Sequence, residues 1–194
     1  MQNTIFHGSP VDIEDLELKP LGWSRHIKQK GVYLTDSETG ALGYALNEGN
    51  VNSDDAKTFA VYNADKQDWE TIIVVKSKTT ALGYIYEVNR PTEMPTYYYD
   101  AQSQMEISEY KPGAISIWAL AHSVPILHKH VVDYNYMKQN PLHIVVRVLK
   151  AKKDFKEATD KIRDLESAVN DGPQKDRADS VEKFRRTLDE YTER

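Results

Sequence analysis

Two short stretches near the N-terminus decide the fold: residues 5–9 read IFHGS and residues 31–36 read GVYLTD. Each is an apolar run that ends in polar residues, which is typical of a β-strand followed by a turn or a helix. The second stretch ends in Asp36, and residues 36–38 (Asp-Ser-Glu) give helix N-cap signals ahead of TGALGYAL at residues 39–46. The sequence therefore predicts a strand, a second strand and a helix, in that order.

The chain up to about residue 150 has the pattern of a domain with many strands and few helices. Its β-branched and aromatic residues concentrate in short runs that polar or glycine-containing segments separate. We predict strands at residues 4–7, 31–35, 71–76, 82–88, 106–110, 114–120, 124–131 and 142–149, a strand or helix at 58–62, and long loops at 21–30 and 90–104. This pattern indicates an α+β or mainly-β domain over residues 1–150.

The composition changes after this domain, where the chain becomes highly charged and its apolar residues recur at helical spacing. The first apolar stripe is Phe155, Ala158, Ile162, Leu165 and Val169, and the second is Val181, Phe184, Leu188 and Tyr191. Residues 170–173, NDGP, predict a helix stop and a turn between the stripes. We therefore predict a charged helical hairpin over residues 151–194. Its narrow apolar seam packs on its own chain or, as the alternative, on a protein partner.

Composition narrows the classes of protein that the chain can belong to. Its 194 residues, 40% hydrophobic and 28% charged, suffice for one good core. The net charge of −5 argues against broad nonspecific binding to nucleic acid or anionic membranes. The absence of cysteine excludes disulfides, thiolate catalysis and cysteine-ligated zinc. Residues 1–10 lack the features of a signal peptide and no apolar run is long enough to span a membrane, so we expect a cytoplasmic protein.

The N-terminal stretches resemble the NAD-binding half of the His-Tyr-Glu ADP-ribosyltransferases, the superfamily of the poly(ADP-ribose) polymerases and diphtheria-toxin-like enzymes. There the first strand ends in His-Gly-Ser or His-Gly-Thr, as residues 7–9 do, and a second strand begins Gly-hydrophobic-Tyr, as residues 31–33 do. A second tyrosine follows 11 residues later on the next helix, as Tyr44 does. A Glu-Tyr pair on a late strand is the third element, and Glu109 with Tyr110 is the best match.

The resemblance implies a split β-sandwich of the ADP-ribosyltransferase type with flanking helices. NAD is then the substrate, and ADP-ribose passes to an acceptor with release of nicotinamide. By the resemblance, His7 holds the adenosine ribose and Gly8 the nicotinamide amide, while Ser9 bonds a nearby ribose or backbone group. Tyr33 and Tyr44 can close on the two faces of the nicotinamide ring, because a tyrosine face attracts a flat cation. The acceptor stays open between a protein side chain, nucleic acid, a small molecule and water.

Breaking the bond between nicotinamide and ribose builds positive charge on the sugar, as in glycoside hydrolysis. A carboxylate that is hydrogen-bonded to the ribose 2′-hydroxyl stabilises this charge as it develops. We predict Glu109 in this role, with His7 and Tyr33 as the other two members of the catalytic set. Glu106, which faces the other way on a regular strand, and Glu87 are the alternatives.

Three further readings of the sequence stay open. Ala41 occupies the helix position where the polymerases have a serine that binds the carboxamide, so the same fold can be a non-catalytic module that binds NAD, ADP-ribose or a partner. The second reading is an interaction protein that works through the hairpin at 151–194. A metal site is the third, from His122, His128, His130 and His143, but no clear third ligand accompanies the i, i+2 pair His128 and His130, so we predict no metal.

Overall fold

The computed structural model describes residues 3–23, 30–46, 53–63, 68–100, 105–139, 144–151, 153–171 and 177–193. The fold is mixed α+β, with two sheets and four helices in these ranges. In chain order the elements are β1 (Thr4–Ser9), β2 (Glu17–Leu18), β3 (Gly22–Trp23), β4 (Lys30–Thr35), α1 (Glu38–Ala45), β5 (Ala56–Asn63), β6 (Asp68–Val75), β7 (Gly83–Asn89), β8 (Tyr97–Asp100), β9 (Met105–Ile107), β10 (Ile115–Leu120), β11 (Val124–Val132), α2 (Tyr134–Gln139), β12 (Ile144–Leu149), α3 (Phe155–Asp171), α4 (Arg177–Tyr191) and β13 (Thr192–Glu193).

The chain forms two compact units, and each unit is discontinuous in sequence. Unit 1 consists of Met1–Asn47 and Gly83–Val132, and unit 2 consists of Glu48–Leu82 and Asp133–Arg194. The border that the composition indicates at residue 150 is therefore not the border between these units. Residues 48–82 belong with the C-terminal helices, and the segment at 142–149 belongs with them as well.

Unit 1 contains a nine-stranded sheet with the order β2-β11-β7-β1-β4-β10-β8-β9, in which β3 also pairs with β4. All of its strand pairs are antiparallel. In the middle of the sheet, β1 and β4 pair at one position alone, where Phe6 lies opposite Thr35. Both strands are described over their full length. By contrast, β1 pairs with β7 along all six of its residues. The sheet is thus split into two halves that diverge next to His7.

The core of unit 1 draws on both halves of this sheet. Its buried members are Ile5, Leu18, Val32, Leu34, Tyr86, Val88, Trp118, Leu120 and Val124. On β4 the core residues Val32 and Leu34 alternate with Tyr33, which is half-buried. Because successive side chains of a strand point to opposite faces, Tyr33 belongs to the face away from this core.

Helix α1 packs closely against β1 and β7 of unit 1. Ser37 is its N-cap, with a side chain that accepts a hydrogen bond from the Gly40 N–H at 3.0 Å, as the sequence signal predicts. A Cβ atom on Gly8 would collide with the Ala41 carbonyl of α1. Gly83 on β7 meets the same obstacle at Ala45. Two glycines therefore allow the helix to approach the sheet at backbone distance.

Unit 2 contains a four-stranded sheet with the order β13-β12-β6-β5, and β12 runs parallel to β6. Helices α3 and α4 pack their apolar stripes on this sheet. The shared core is Phe59, Val61, Ile72, Val74, Leu149, Phe155, Ala158, Ile162, Val169, Phe184, Leu188 and Tyr191, with Leu165 and Val181 partly buried against it. The two predicted helices are present, and their apolar stripes pack on the chain's own sheet.

The edge strand of this sheet is bound by side chains of α3. The buried carboxylate of Glu166 accepts the Ala60 N–H at 2.6 Å through Oε1 and pairs with Arg163 through Oε2 at 2.6 Å. Asn170, one turn further on, donates from Nδ2 to the Ala60 carbonyl at 2.9 Å. Both main-chain groups of Ala60 are therefore satisfied by the helix.

The structure corrects several of the predicted elements. Residues 97–100, expected in a loop, form β8, and the strand expected at 106–110 is the shorter β9. Helix α2 at Tyr134–Gln139 was not predicted. The ambiguous residues 58–62 lie in strand β5. Most of the predicted loop at 21–30 and the turn at 172–173 lie outside the described residues.

Candidate functional site

His7 lies on β1 next to the place where β1 and β4 diverge, opposite the core residue Tyr86 of β7, and therefore on the core face of the sheet and not on the face of Tyr33. Its Nδ1 donates a hydrogen bond to the main-chain carbonyl of Tyr33 at 2.7 Å, because a carbonyl oxygen can only accept. Burial lowers the pKa of His7 below its ordinary value of 6.5, and the bond to Tyr33 offsets part of this effect. The imidazole is therefore neutral at pH 7 with its proton on Nδ1, which leaves the Nε2 lone pair as an acceptor.

Tyr33 continues into a band of residues that share one face of the sheet. In the register of the strands, Tyr33 lies opposite Ala119, and Thr35 lies opposite Ile117 of β10. Ile117 in turn lies opposite Tyr97 of β8. Directly paired residues of neighbouring strands project to the same face, so Tyr33 and Tyr97 share the face away from the core.

The next strand pair adds a carboxylate to this face. Tyr99 lies opposite Ile115 on one side and opposite Glu106 of β9 on the other. Tyr97 and Tyr99 are two residues apart on β8 and therefore point the same way, and Glu106 points with them. Tyr98 belongs to the opposite face and makes an edge-to-face contact with Tyr110 at 5.6 Å between ring centroids.

Tyr44 reaches the same group of side chains from helix α1. The residue is 62% exposed, and its pKa is raised by partial burial of the phenol and then by Glu106, Tyr99 and Tyr33. We call Tyr33, Tyr44, Tyr97, Tyr99 and Glu106 the tyrosine cluster. The cluster joins α1 to the outer half of the sheet, next to the split that holds His7.

Tyr97 is the member of the cluster whose titration is perturbed most clearly. Burial raises its pKa strongly, and the nearby Tyr44, Glu106 and Tyr33 raise it further. The phenol is therefore protonated at any pH at which the protein is studied, so its hydroxyl remains a hydrogen-bond donor. A set of interacting ionisable groups on one face is the arrangement that functional sites commonly show.

Gly8 and Ser9 have structural tasks that the sequence did not reveal. Gly8 makes room for α1, as described above. Ser9 is buried, and its Oγ donates to the Val11 carbonyl at 2.8 Å and accepts the Val11 N–H at 3.1 Å. The hydroxyl proton of Ser9 is thus engaged in the turn that follows β1.

The predicted carboxylate Glu109 is not brought to this face by a strand. Strand β9 ends at Ile107, and Glu109 lies in an exposed bend after it. Glu106, the alternative, is the carboxylate that the register places beside Tyr99. Glu87 on β7 is bound elsewhere, since its Oε1 contacts His130 Nε2 at 2.7 Å.

The signal for the missed residues is present in the sequence. A run of three tyrosines at 97–99 is compatible with a strand as well as a loop, and a strand directs its first and third members to one face. The same alternation separates Glu106 from Glu109. Neither Tyr97 nor Tyr99 has a counterpart in the motif that points to His7, Tyr33 and Tyr44.

A hollow in unit 2 is lined mainly by charged side chains. Its volume is about 540 Å³, and its lining includes four lysines together with acidic residues near the start of α3. Lys76 pairs with Asp55 and Lys156 pairs with Asp160, at 2.8 Å and 2.6 Å. These charges neutralise each other in pairs, so the hollow offers no concentrated positive field for an anion.

The histidines give no metal centre in the part of the chain that the structure describes, where no group of three or more potential ligands is found. His130 pairs with Glu87, and His122 lies 3.9 Å from a Glu93 oxygen. A bulge between Ile126 and His128 interrupts the strand on which His128 and His130 lie. His143 lies outside the described residues.

The chain was compared with known proteins at three levels. No protein-family model matches it, and neither does any curated protein or solved structure. The likeness to the His-Tyr-Glu enzymes therefore rests on the residues of the site alone. Among the described residues, no helix has both the length and the apolar character that crossing a bilayer requires.

Proposed function

We propose that unit 1 binds NAD and transfers its ADP-ribosyl group to an acceptor, as a transferase of the His-Tyr-Glu kind. One observation carries the proposal. The hydrogen bond from His7 to the Tyr33 carbonyl lies at the split of the sheet, and Tyr44 and Glu106 belong to the cluster on the adjacent face. The phenols and the carboxylate of the cluster are far apart in sequence, and His7 is tied to them through the main chain of Tyr33.

The binding half of the proposal uses the neutral imidazole and the phenol rings. His7 Nε2, free of its proton, accepts a hydrogen bond from a ribose hydroxyl of NAD. Tyr33 and Tyr44 stack on the cationic nicotinamide ring, and such contacts are worth about 1–2 kcal/mol when water is excluded. Gly8 seats α1, because the place of its missing side chain is taken by the Ala41 carbonyl.

The chemical half concerns the bond between the ribose C1′ and the nicotinamide nitrogen. This bond breaks heterolytically, its electron pair leaves with neutral nicotinamide, and positive charge spreads over C1′ and the ring oxygen of the sugar. The acceptor then adds its lone pair to C1′ and loses a proton. A carboxylate bound to the 2′-hydroxyl stabilises the charge as it forms.

We assign this carboxylate to Glu106 in preference to Glu109. The strand register puts Glu106 on the face of Tyr33, and its charge acts on the phenols of Tyr44 and Tyr97. Glu109 lies in an exposed bend beyond the strand. The acceptor remains open between a protein, a nucleic acid, a small molecule and water.

The test is release of free nicotinamide from NAD by the full chain. We expect release by the wild type, a loss of about a hundredfold or more in Glu106→Gln, and little change in Glu109→Gln. The two variants make the same chemical change three residues apart, so each serves as the control for the other. Equal loss in both variants, or no release by any of them, contradicts the proposal.

A binding module without turnover is the second candidate, and Ala41 favours it. Ala41 is fully buried with its carbonyl against Gly8, so α1 presents no hydroxyl to the carboxamide at this position. Calorimetry with NAD separates the two candidates. Binding that Tyr33→Ala and Tyr44→Ala weaken, without nicotinamide release, identifies the module.

A further inference from the structure

The outer edge of β11 in unit 1 is covered only in part. Strand β2 pairs with Val124 and Pro125, and the Ile126 N–H donates to the Leu16 carbonyl just beyond them. From there on, residues 127–132 have β7 on one side and, among the described residues, no strand on the other. We call residues 127–132 the open edge.

The strand register shows which main-chain groups of the open edge point outward. Just after β7 the Arg90 N–H donates to the Asn3 carbonyl on the side of β1, and the direction alternates along a strand, so the odd-numbered residues of β7 turn their N–H and C=O groups toward β11. The even-numbered residues within 128–132 lie opposite them and turn inward. Lys129 and Val131 therefore direct their main-chain groups away from the sheet.

These outward groups are free and accessible. The N–H and C=O of Lys129 and Val131 have no hydrogen-bond partner in the described parts of the chain, and both residues are exposed. A lysine often guards such an edge, but Lys129 is held over its own unit, with Nζ 2.7 Å from Asp12 and 5.6 Å from the centre of the Tyr84 ring. The open edge thus lacks the protection that α3 gives Ala60 in unit 2.

We propose that a second copy of the chain docks on the open edge, so that two β11 strands pair antiparallel about a two-fold axis at His130. Lys129 and Val131 lie one residue to either side of His130, so the axis brings Lys129 opposite the partner's Val131 and Val131 opposite the partner's Lys129. Each of these pairs exchanges both of its N–H and C=O groups. The open edge is therefore its own complement, and the two sheets become one.

The side chains agree with this pairing. Val131, 43% exposed, lies against the aliphatic stem of the partner's Lys129, whose charged head stays with its own Asp12. On the other face the two His130 rings meet across the axis, each hydrogen-bonded to its own Glu87 at 2.7 Å. So short a strand pair buries less than the roughly 1,200 Å² of a standard interface, so we expect a weak dimer.

Disulfide formation tests the register, since the chain has no cysteine of its own. In His130→Cys the two thiols face each other at a non-hydrogen-bonded position, where Cα atoms are about 4.5 Å apart and a disulfide fits. His128→Cys makes the same change on the same face, but its two copies lie about 14 Å apart. We expect a covalent dimer on oxidation of His130→Cys alone. No cross-link in His130→Cys, or an equal yield in both variants, overturns the proposal.

Sedimentation tests the main-chain bonds without cysteine. Val131→Pro removes an N–H that the ladder to β7 does not use, whereas Val131→Thr keeps this N–H and nearly the same shape. Between about 10 μM and 1 mM, we expect the wild type and Val131→Thr to dimerise and Val131→Pro to bind its copy about tenfold or more weakly. A wild type that stays monomeric throughout, or equal dimerisation of all three, overturns the proposal.

Hydrogen exchange of the wild type keeps the test decisive if Val131→Pro does not fold. The amides of Lys129 and Val131 should exchange more slowly as the protein concentration rises over the same range, because dimerisation gives them acceptors. The amide of Asp164, on the exposed side of α3, serves as the control and should not respond. Exchange at Lys129 and Val131 that is independent of concentration overturns the proposal. None of these measurements involves NAD, so their outcome is separate from that of the nicotinamide assay.

Discussion

Unit 1 and unit 2 use their polar side chains for different purposes. In unit 2 the buried Glu166 and the half-buried Asn170 bond the main chain of Ala60, so both of its main-chain groups are satisfied and the strand edge is secured there. In unit 1 several phenols and a carboxylate gather on one face, where burial and then the neighbouring groups raise the pKa of Tyr44 and of Tyr97.

The contrast teaches where function is to be sought in this chain. Polar groups that stabilise a fold are placed so that their interactions are complementary. Ionisable groups that perturb one another on a half-buried face are the mark of a functional site. This contrast supports our proposal that the functional site lies in unit 1, whereas the described core and strand edge of unit 2 stabilise the fold.

The largest expected effect concerns the packing of α1 against β1 in unit 1. Gly8→Ala puts a methyl group onto the Ala41 carbonyl, and since that obstacle is helix backbone, α1 must move away from β1. We expect a loss of about 3 kcal/mol in the free energy of unfolding, at the upper end of the cost of overpacking. Urea denaturation measures it.

The matched control is Gly43→Ala on the same helix. Gly43 is exposed, and no described atom lies within 4 Å of where its Cβ would be. This variant should gain about 0.5–1 kcal/mol from helix propensity. Equal stability of the two variants would mean that α1 does not rest on β1 as described.

The next effect probes the stabilising polar groups of unit 2. Glu166→Ala leaves the Ala60 N–H without the acceptor that it has at 2.6 Å. We expect a loss of about 1–3 kcal/mol, the cost of an unsatisfied buried donor. Asp164→Ala, on the exposed side of α3, should change stability by less than about 0.5 kcal/mol. Thermal unfolding measures both variants. Equal shifts in the unfolding midpoint would show that Glu166 stabilises unit 2 no more than an exposed residue of α3 does.

The smallest effect is a dependence on pH that belongs to unit 1. Because burial lowers the pKa of His7 in the folded state, the unfolded chain takes up a proton first as the pH falls through 6.5. The contribution of His7 to stability is therefore complete above this pH and is lost on acidification, at no more than about 1.4 kcal/mol per pH unit.

The measurement is the difference in unfolding free energy between about pH 7.5 and pH 5 for the wild type and for His7→Gln, which does not titrate. The wild type should lose more stability than the variant, by up to about 1 kcal/mol. A larger loss in the variant would show that His7 is not buried in its neutral form.

The local features of the fold were accessible from the sequence, since they depend on neighbours along the chain. The Ser37 cap, the apolar stripes of α3 and α4 and most strands follow from periodicity and N-cap chemistry. The partition into units was not accessible. It depends on the pairing of β6 with β12, and the sequence of neither strand indicates which strand it pairs with.

The candidate site also divides into residues that the sequence indicated and residues that only the strand pairing reveals. The residues His7, Tyr33 and Tyr44 were predicted from the resemblance to the motif of the His-Tyr-Glu enzymes. The assignment of the carboxylate depends on where β9 ends and which face it presents, and both follow from its pairing with β8. Tyr97 was missed because the run of three tyrosines fits a loop as well as a strand, and only the pairing of β8 with β10 decides between them.

The two hydrogen bonds from α3 to the main chain of Ala60 have a consequence for how the protein behaves at high concentration. An unprotected outer strand offers its amides and carbonyls to any extended peptide that meets it, and this is a common route to fibrils. At Ala60 the helix already holds both groups, so a second molecule cannot continue the ladder through that residue. The bonds that fix α3 on its sheet therefore also act against self-association.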